Sequence, residues 1–357
     1  MKKILVVDDS ALMRRVSCDI INSDERLHVE DIATDGLKAL ELCKKKDYDA
    51  IVLDINMPNM DGIAFLKEFK KLHKNSCVIM NSTLTMDGAA ITMEALSLGA
   101  VDFVHKPESL ATAKGEAHKQ RLLKILCGAI YGVEEQKAAN APGARQEKFL
   151  TMSKKHEGPS AKKKMVAIAS STGGPKALQH VIPLLPADLD APVLLVQHMP
   201  AGFTATLAQR LDELSKVHVK EAEEGEEVRP GTVYISRGGL HMNYVEHHGK
   251  GYIHYSNEPN REGVKPCANY MYESLIQSDY DEITCVVLTG MGKDGTEGIK
   301  NLMAKKNTYI IAQDAASSTV YGMPKAIAAT GWVNEIVTLD EIAKQIILNV
   351  GVKQNGR

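Results

Sequence analysis

The chain has 357 residues, 44% hydrophobic and 25% charged, with 43 Lys and Arg against 45 Asp and Glu and a formal net charge of −2 at pH 7. That balance gives no electrostatic case for nucleic acid as the main partner, and the longest apolar runs, such as KILVV and ITCVVLTG, fall far short of the roughly 18 residues of a membrane span. At about 150 residues per domain, the length points to two domains.

The N-terminus MKKILVVDDS meets acid after a few apolar residues, too early for the core of a secretory leader. The six cysteines (18, 43, 77, 127, 267 and 285) form no CxxC pair and have no histidines at metal spacing. They read as buried reduced thiols, which predicts a cytoplasmic protein.

Over the first 125 residues, strand-length apolar runs at 4–7, 28–33, 48–54, 77–81 and 101–105 alternate with amphipathic segments at 10–22, 36–45, 61–72 and 87–98. A fifth helix is predicted over 116–131. Five such units imply a parallel sheet with helices on both faces and a functional site beyond the carboxyl ends of the strands.

Those ends carry a distinctive set of side chains. Asp8 and Asp9 close the first strand and Asp54 closes the third. Three carboxylates at short range repel one another unless a cation joins them, and Mg²⁺ suits oxygen ligands that retain waters. Ser82 follows the fourth strand and Lys106 the fifth, so a mobile hydroxyl and a fixed positive charge face the same pocket. The set fits a carboxylate that accepts a phosphoryl group and a hydroxyl that then turns toward it.

The motifs VVDDS, LDINMPNMDG, MNST and DFVHKP, in this order and spacing, resemble the receiver domain of two-component response regulators over residues 1–125, a flavodoxin-like fold. The resemblance implies that Asp54 is the phosphoacceptor, fed by a histidine kinase. It implies that Asp9, Asp54 and the Asn56 backbone carbonyl bind Mg²⁺ with support from Asp8. It puts Ser82 and Phe103 in the places of the switch hydroxyl and the switch aromatic.

From about 133 the pattern dissolves. Residues 145–164 carry seven basic and two acidic side chains with Gly, Pro and Ser interspersed, which predicts the end of a receiver helix and a flexible linker over 126–163.

A second α/β domain is predicted over 164–352. Its strands are expected at 165–170, 192–198, 232–236, 282–289 and 308–314, its helices near 174–182, 202–214, 268–278, 295–305 and 339–349, and a β-hairpin over 241–256 turning at HGKG. The first strand runs into ASSTGGPKAL, a strand, tight turn and helix. Neither GxxxxGK[ST] nor GxGxxG is present there, which argues against a nucleotide phosphate loop. The alternative is a nucleophilic hydroxyl, served by a base and an orienting acid from other strand ends. His198 follows VLLVQ, and Asp294 lies in LTGMGKDG, whose glycines free N–H groups for an oxyanion.

The segments ASSTGGP, VQHMPAGFT, RPGTVYIS with GGLHM, LTGMGKDG and AQDAASSTVYGMPKAI resemble the CheB-type chemotaxis protein-glutamate methylesterases and glutamine deamidases over about 165–330, behind the receiver that this family carries. The resemblance implies a doubly wound methylesterase domain with Ser171 as nucleophile, His198 as base and Asp294 as its orienter. It leaves Ser170 as the last strand residue and puts Thr172 and Met291 at the oxyanion or substrate wall. It implies methyl-accepting chemoreceptors as substrates, deamidation of receptor glutamines through the same acyl-enzyme, and no cofactor in this domain. NREGVKPCANYMYES (260–274) departs from the family there, so no substrate contact carries over to it. Two other readings are a receiver-controlled binding module without chemistry and a hydrolase of a small-molecule ester. The unphosphorylated receiver is expected to cover the catalytic opening, and phosphate on Asp54 to relieve it.

Overall fold

The computed structural model describes residues 1–82, 86–106, 110–113, 115–139, 149, 151–152 and 163–353. By its contacts the chain divides into two compact units, Met1–Glu134 and Glu135–Arg357.

In the first unit the elements run β1 (Lys2–Val7), α1 (Ala11–Ile21), β2 (Leu27–Ala33), α2 (Gly36–Lys45), β3 (Ala50–Asp54), α3 (Gly62–Lys70), β4 (Cys77–Ser82), α4 (Met86–Leu98), β5 (Asp102–His105), α5 (Leu110–Ala113) and α6 (Glu116–Ala139). The strands pair in parallel in the order β2-β1-β3-β4-β5. β3 is buried along its whole length, as a central parallel strand covered on both faces must be. Short polar side chains start the helices. Ser10 accepts from Met13 N, Asp35 from Lys38 N and Asp61 from Ala64 N, each such cap worth about 1 kcal/mol. β1 and β3 are neighbours, and the chain order reverses between them, so Asp8, Asp9 and Asp54 meet where doubly wound sheets bind their ligands.

In the second unit the elements run β6 (Lys164–Ser170), α7 (Gly174–Val181), β7 (Val193–Gln197), α8 (Phe203–Leu214), β8 (His218–Glu221), β9 (Thr232–Ile235), β10 (His241–His247), β11 (Lys250–Ser256), α9 (Ala268–Ser274), β12 (Glu282–Val287), α10 (Thr296–Met303), β13 (Asn307–Gln313), α11 (Met323–Ala328), β14 (Glu335–Val337) and α12 (Leu339–Val350). Seven strands form one parallel sheet, β14-β13-β12-β6-β7-β9-β8. From β6 the chain winds one way through β7, and from β12 it winds the other way through β13. The switch point therefore lies between β6 and β12. β10 and β11 form the antiparallel hairpin, with His247 opposite Lys250. His248 (φ 53°) and Gly249 (φ 75°) make its two-residue turn, the left-handed pair that a tight hairpin favours.

Two strands and one helix were not foreseen in this unit. β8 is a four-residue edge strand, HVKE, with only Val219 fully buried, and β14 has three residues. Short, charged edges carry little period-2 signal. α11 is a six-residue helix introduced by Pro324. Residues 126–163, expected to hold the end of a receiver helix and a flexible linker, are described only in part. α6 continues through Glu134–Ala139, a run of helix-favouring Glu, Gln, Lys and Ala. Phe149 packs against the core of the second unit, and Met152 N donates to Val333 O at 2.8 Å. Residues 140–148, 150 and 153–162, where most of the basic stretch falls, lie outside the described residues.

Candidate functional site

Two constellations stand at carboxyl ends of strands, one in each unit. In the first, Asp8 and Asp54 are buried and Asp9 is exposed, with ligand oxygens of all three within 4.8 Å of one another. Lys106 Nζ lies 2.7 Å from Asp54 Oδ2 and 3.0 Å from Asp8 Oδ2. Asp8 Oδ1 accepts from Ser10 N and Asp54 Oδ1 from Ile55 N. Gly62 packs against the backbone at the end of β3: a Cβ there would stand 2.5 Å from the main-chain carbonyl oxygen of Asp54.

Burial pushes the Asp54 carboxyl up, and Lys106 only partly offsets this. Burial pulls Lys106 down, but its bonds to Asp54 and Asp8 more than compensate and leave its ammonium held above its usual range. A carboxylate cluster with one lysine still carries excess negative charge, and that donor set fits a divalent ion. Asn56 follows β3 at the surface.

Ser82 is buried at the end of β4, and its Oγ accepts from Thr92 Oγ1 of α4 at 2.7 Å. Phe103 is fully buried. Thr92 was not singled out in the sequence, because one threonine on a largely apolar helix carries no distinguishing spacing.

In the second unit, β6 ends at Ser170 and the nucleophile candidate Ser171 opens the turn. Ser171 N donates to Thr289 O at 3.0 Å, and Gly174 N donates to Ser171 O at 2.7 Å. Gly173 has φ 76°, and a Cβ there would come within 2.4 Å of Thr319 Cβ, so the turn needs glycine for both conformation and space. Ser170 is fully buried, and its Oγ donates to Gln197 Oε1 at 2.7 Å. Gln197 Nε2 donates in turn to Ser171 O at 3.0 Å and to His198 O at 3.4 Å.

His198 stands just past β7, pinned by its N–H to Ser170 O at 3.1 Å. Its Nε2 donates to Asp294 Oδ2 at 2.8 Å, with both side chains nearly buried. Its Nδ1 is buried and unpartnered among the described residues. No hydrogen bond joins Ser171 Oγ to His198 among those residues, a gap common in active sites without substrate.

Asp294 is held from four further directions. Oδ2 accepts from Ala268 N at 2.6 Å. Oδ1 accepts from Asn269 N at 3.0 Å, Gly295 N at 2.9 Å and the Cys267 thiol at 3.0 Å. Burial works to raise its pKa, but the bonds from His198, Cys267 and Ala268 prevail and keep the carboxyl below its ordinary range. Asn269 returns the contact: its Oδ1 accepts from Gly295 N and Gly298 N at the start of α10.

Thr172 is buried and its carbonyl accepts from Thr289 Oγ1. Met291 is half-buried on the loop after β12. Gln197, Cys267, Ala268 and Asn269 were absent from the sequence-based set. A polar residue ending an apolar strand could have flagged Gln197. The backbone donors of 268 and 269 leave no trace in residue type. Cavities of about 420 and 470 Å³ near Lys163, Tyr280 and Lys306 lie at the amino ends of the strands, away from Ser171.

Comparison with known proteins matches both units. Residues 4–115 match the response regulator receiver domain, and residues 166–346 match the CheB methylesterase family. A protein-glutamate methylesterase/protein-glutamine glutaminase of Syntrophomonas wolfei is 40% identical over 354 residues, covering 97% of this chain and 98% of its own. One from Pyrococcus horikoshii is 41% identical over 360 residues, covering 99% and 95%. The crystal structure of the Thermotoga maritima CheB methylesterase catalytic domain is 39% identical with a TM-score of 0.50, covering 53% of this chain and 98% of that one.

Proposed function

The chain belongs to the CheB methylesterase family, and from that premise we propose that Ser171, His198 and Asp294 carry out glutamyl ester hydrolysis under control of phosphorylation at Asp54. It is a protein-glutamate methylesterase and protein-glutamine glutaminase with a response-regulator receiver. The observation that carries the residue assignment is the buried His198–Asp294 pair beside the Ser171 turn, at the switch point of the sheet.

In this reading Ser171 Oγ attacks the γ-carbonyl of a methylated glutamate and His198 Nδ1 takes its proton. Asp294 fixes the tautomer with N–H at Nε2 and stabilises the imidazolium that forms. Backbone N–H groups at Thr172 and Met291 receive the oxyanion. His198 then returns the proton to the departing methoxide, methanol leaves, and water activated by the same Nδ1 releases the glutamate. With a glutamine, ammonia leaves in place of methanol through the same acyl-enzyme.

The substrates are methyl-accepting chemoreceptors, and the phosphodonor is a chemotaxis histidine kinase in the cytoplasm. Asp9, Asp54 and the Asn56 carbonyl would hold Mg²⁺ with Asp8 in support, and the ion would supply charge neutralisation for incoming phosphoryl oxygens. Lys106 supplies a second fixed positive charge, and Ser82 turns from Thr92 toward the new phosphate while Phe103 repacks. Methanol release from methylated receptor membranes, with and without a small-molecule phosphodonor, tests the whole scheme. Hydrolysis of short esters without any on receptor would sink the substrate assignment.

A further inference from the structure

The segment 260–274, a loop that runs into α9, has no counterpart in the motifs that carry the family resemblance, yet it supplies three of the five donors on Asp294: the Cys267 thiol and the N–H groups of Ala268 and Asn269. We propose that Cys267 is a positioning residue for the esterase reaction, its S–H holding Asp294 Oδ1 so that Oδ2 stays on His198. This rests on the assignment of Ser171, His198 and Asp294 above.

The thiol can act only in this direction. Cys267 is fully buried, and burial first, then the charge of Asp294, pushes its pKa far up, so it remains protonated. An ionised carboxylate is an acceptor only, so the 3.0 Å contact is S–H to Oδ1. With Asn269 N and Gly295 N on the same oxygen, Oδ1 is held on one side of the carboxylate and Oδ2 faces the imidazole. Any rotation of the carboxylate that lengthens the His198 bond must break the thiol contact too.

The cysteine is itself braced. Its N–H donates to His241 Nδ1 at 3.2 Å, and His241 is fully buried with its ring edge-on to Tyr270 at 4.7 Å. The Arg261 guanidinium lies 5.5 Å from the centre of the Tyr270 ring and pairs with Glu273 at 2.7 Å. A continuous series of contacts thus runs from the loop surface to the catalytic carboxylate. The titratable groups around Asp294 are His198 from the end of β7, Cys267 from the loop before α9, His241 from the start of β10 behind it, and Tyr272 from α9. Lys293, next in the chain, turns its ammonium to Glu262 at 3.8 Å.

Cys267→Ala and Cys267→Ser separate the donor from the packing. In full-length protein, Cys267→Ala is expected to lower kcat about three- to tenfold with KM for methylated receptor near wild type, as for loss of one weak donor to a charged acceptor. A carboxylate with one donor fewer holds its charge more strongly toward the imidazolium, so the acid limb of kcat/KM moves to higher pH. Cys267→Ser keeps a donor on the same atom and is expected to restore both kcat and the acid limb.

Thermal melts against pH give a readout free of turnover. The depressed folded pKa of Asp294 contributes stability above its ordinary value, and this is lost as pH falls through the lower folded value. Loss of the thiol raises that folded value, so the stability gap between Cys267→Ala and wild type should narrow on acidification. Equal impairment of both variants with an unmoved acid limb would make Cys267 a packing residue and overturn the proposal, as would a Cys267→Ala enzyme with wild-type kcat. If Asp294→Asn is crippled while Cys267→Ala is silent, the positioning role alone fails. If Asp294→Asn is near normal, the triad assignment and the positioning role fall together.

Discussion

His198 reaches Asp294 through Nε2, 2.8 Å from Oδ2, and its Nδ1 is left buried and without a partner among the described residues. His198 is tied by its own N–H to Ser170 O, one residue before Ser171. Its Nε2 extends to the loop after β12. The proposed reaction requires the tautomer protonated at Nε2, and an acceptor at Asp294 favours it.

Asp294→Asn should keep the fold and lower turnover strongly, by about 10⁴ if the effect matches that of tautomer loss in other triads. An amide can present N–H to Nε2 and so leave the proton on Nδ1, the wrong nitrogen. Stopped-flow or methanol-release rates above about a tenth of wild type would return Asp294 to the role of a turn residue.

Ser171→Ala should abolish hydrolysis with no loss of thermal stability, since Ser171 Oγ makes no hydrogen bond among the described residues. Ser170→Ala is a different experiment. Its buried hydroxyl is bonded to Gln197, which in turn holds the carbonyls of Ser171 and His198. A cost of about 1 kcal/mol in stability is expected from the lost bond, with a severalfold fall in kcat through the loosened turn. If Ser170→Ala were inactive and Ser171→Ala active, the nucleophile would be the other serine.

Asp54→Asn should block phosphorylation and, in the absence of metal, remove the loss of receiver stability that the Asp54 titration brings as pH rises. The sign follows from the raised pKa of Asp54. A folded state that binds the proton more readily than the unfolded chain loses stability as pH rises through the titration, and the amide does not. The advantage of the variant should therefore shrink as pH falls through the raised folded pKa of Asp54 and be gone below the ordinary carboxylate value. It should also shrink when Mg²⁺ is added, because the ion stabilises only the wild-type carboxylate. Asp9→Ala should demand far more Mg²⁺ for phosphorylation from a small phosphodonor. Equal metal dependence in Asp9→Ala and wild type would remove Asp9 from the ligand set.

Much of this was legible in the sequence because the chemistry sits at strand ends, and buried parallel strands announce their ends sharply. AIVLD and VLLVQ stop where a polar residue appears, so Asp54 and His198 could be placed before any coordinates. Ser171 was ambiguous by one position until family motifs chose between two adjacent serines. What pattern reading missed is what pattern does not encode. Thr92 meets Ser82 through tertiary packing, and Ala268 contributes only a backbone N–H to Asp294. HVKE forms a strand because β9 lies beside it, with little help from its own composition.

A receiver precedes the esterase unit in this chain. If it inhibits when unphosphorylated, the catalytic unit alone should be faster than the unphosphorylated whole and indifferent to a phosphodonor. The fragment must be cut with Phe149 and Met152 in mind. One packs on the core of this unit and the other bonds Val333 O, so a fragment from 149 onward should melt higher than one from 163 onward. Kinetics should be measured on the longer piece, so that lost packing is not mistaken for lost regulation. A hundredfold range of control requires about 2.8 kcal/mol, at roughly 1.4 kcal/mol per tenfold, which a modest interdomain contact can supply. Asp54→Asn in the full-length protein should then be locked at the slow rate, with or without phosphodonor. If the 149-onward fragment is slower than the unphosphorylated whole, the receiver activates the esterase, and relief of inhibition is the wrong description of its control.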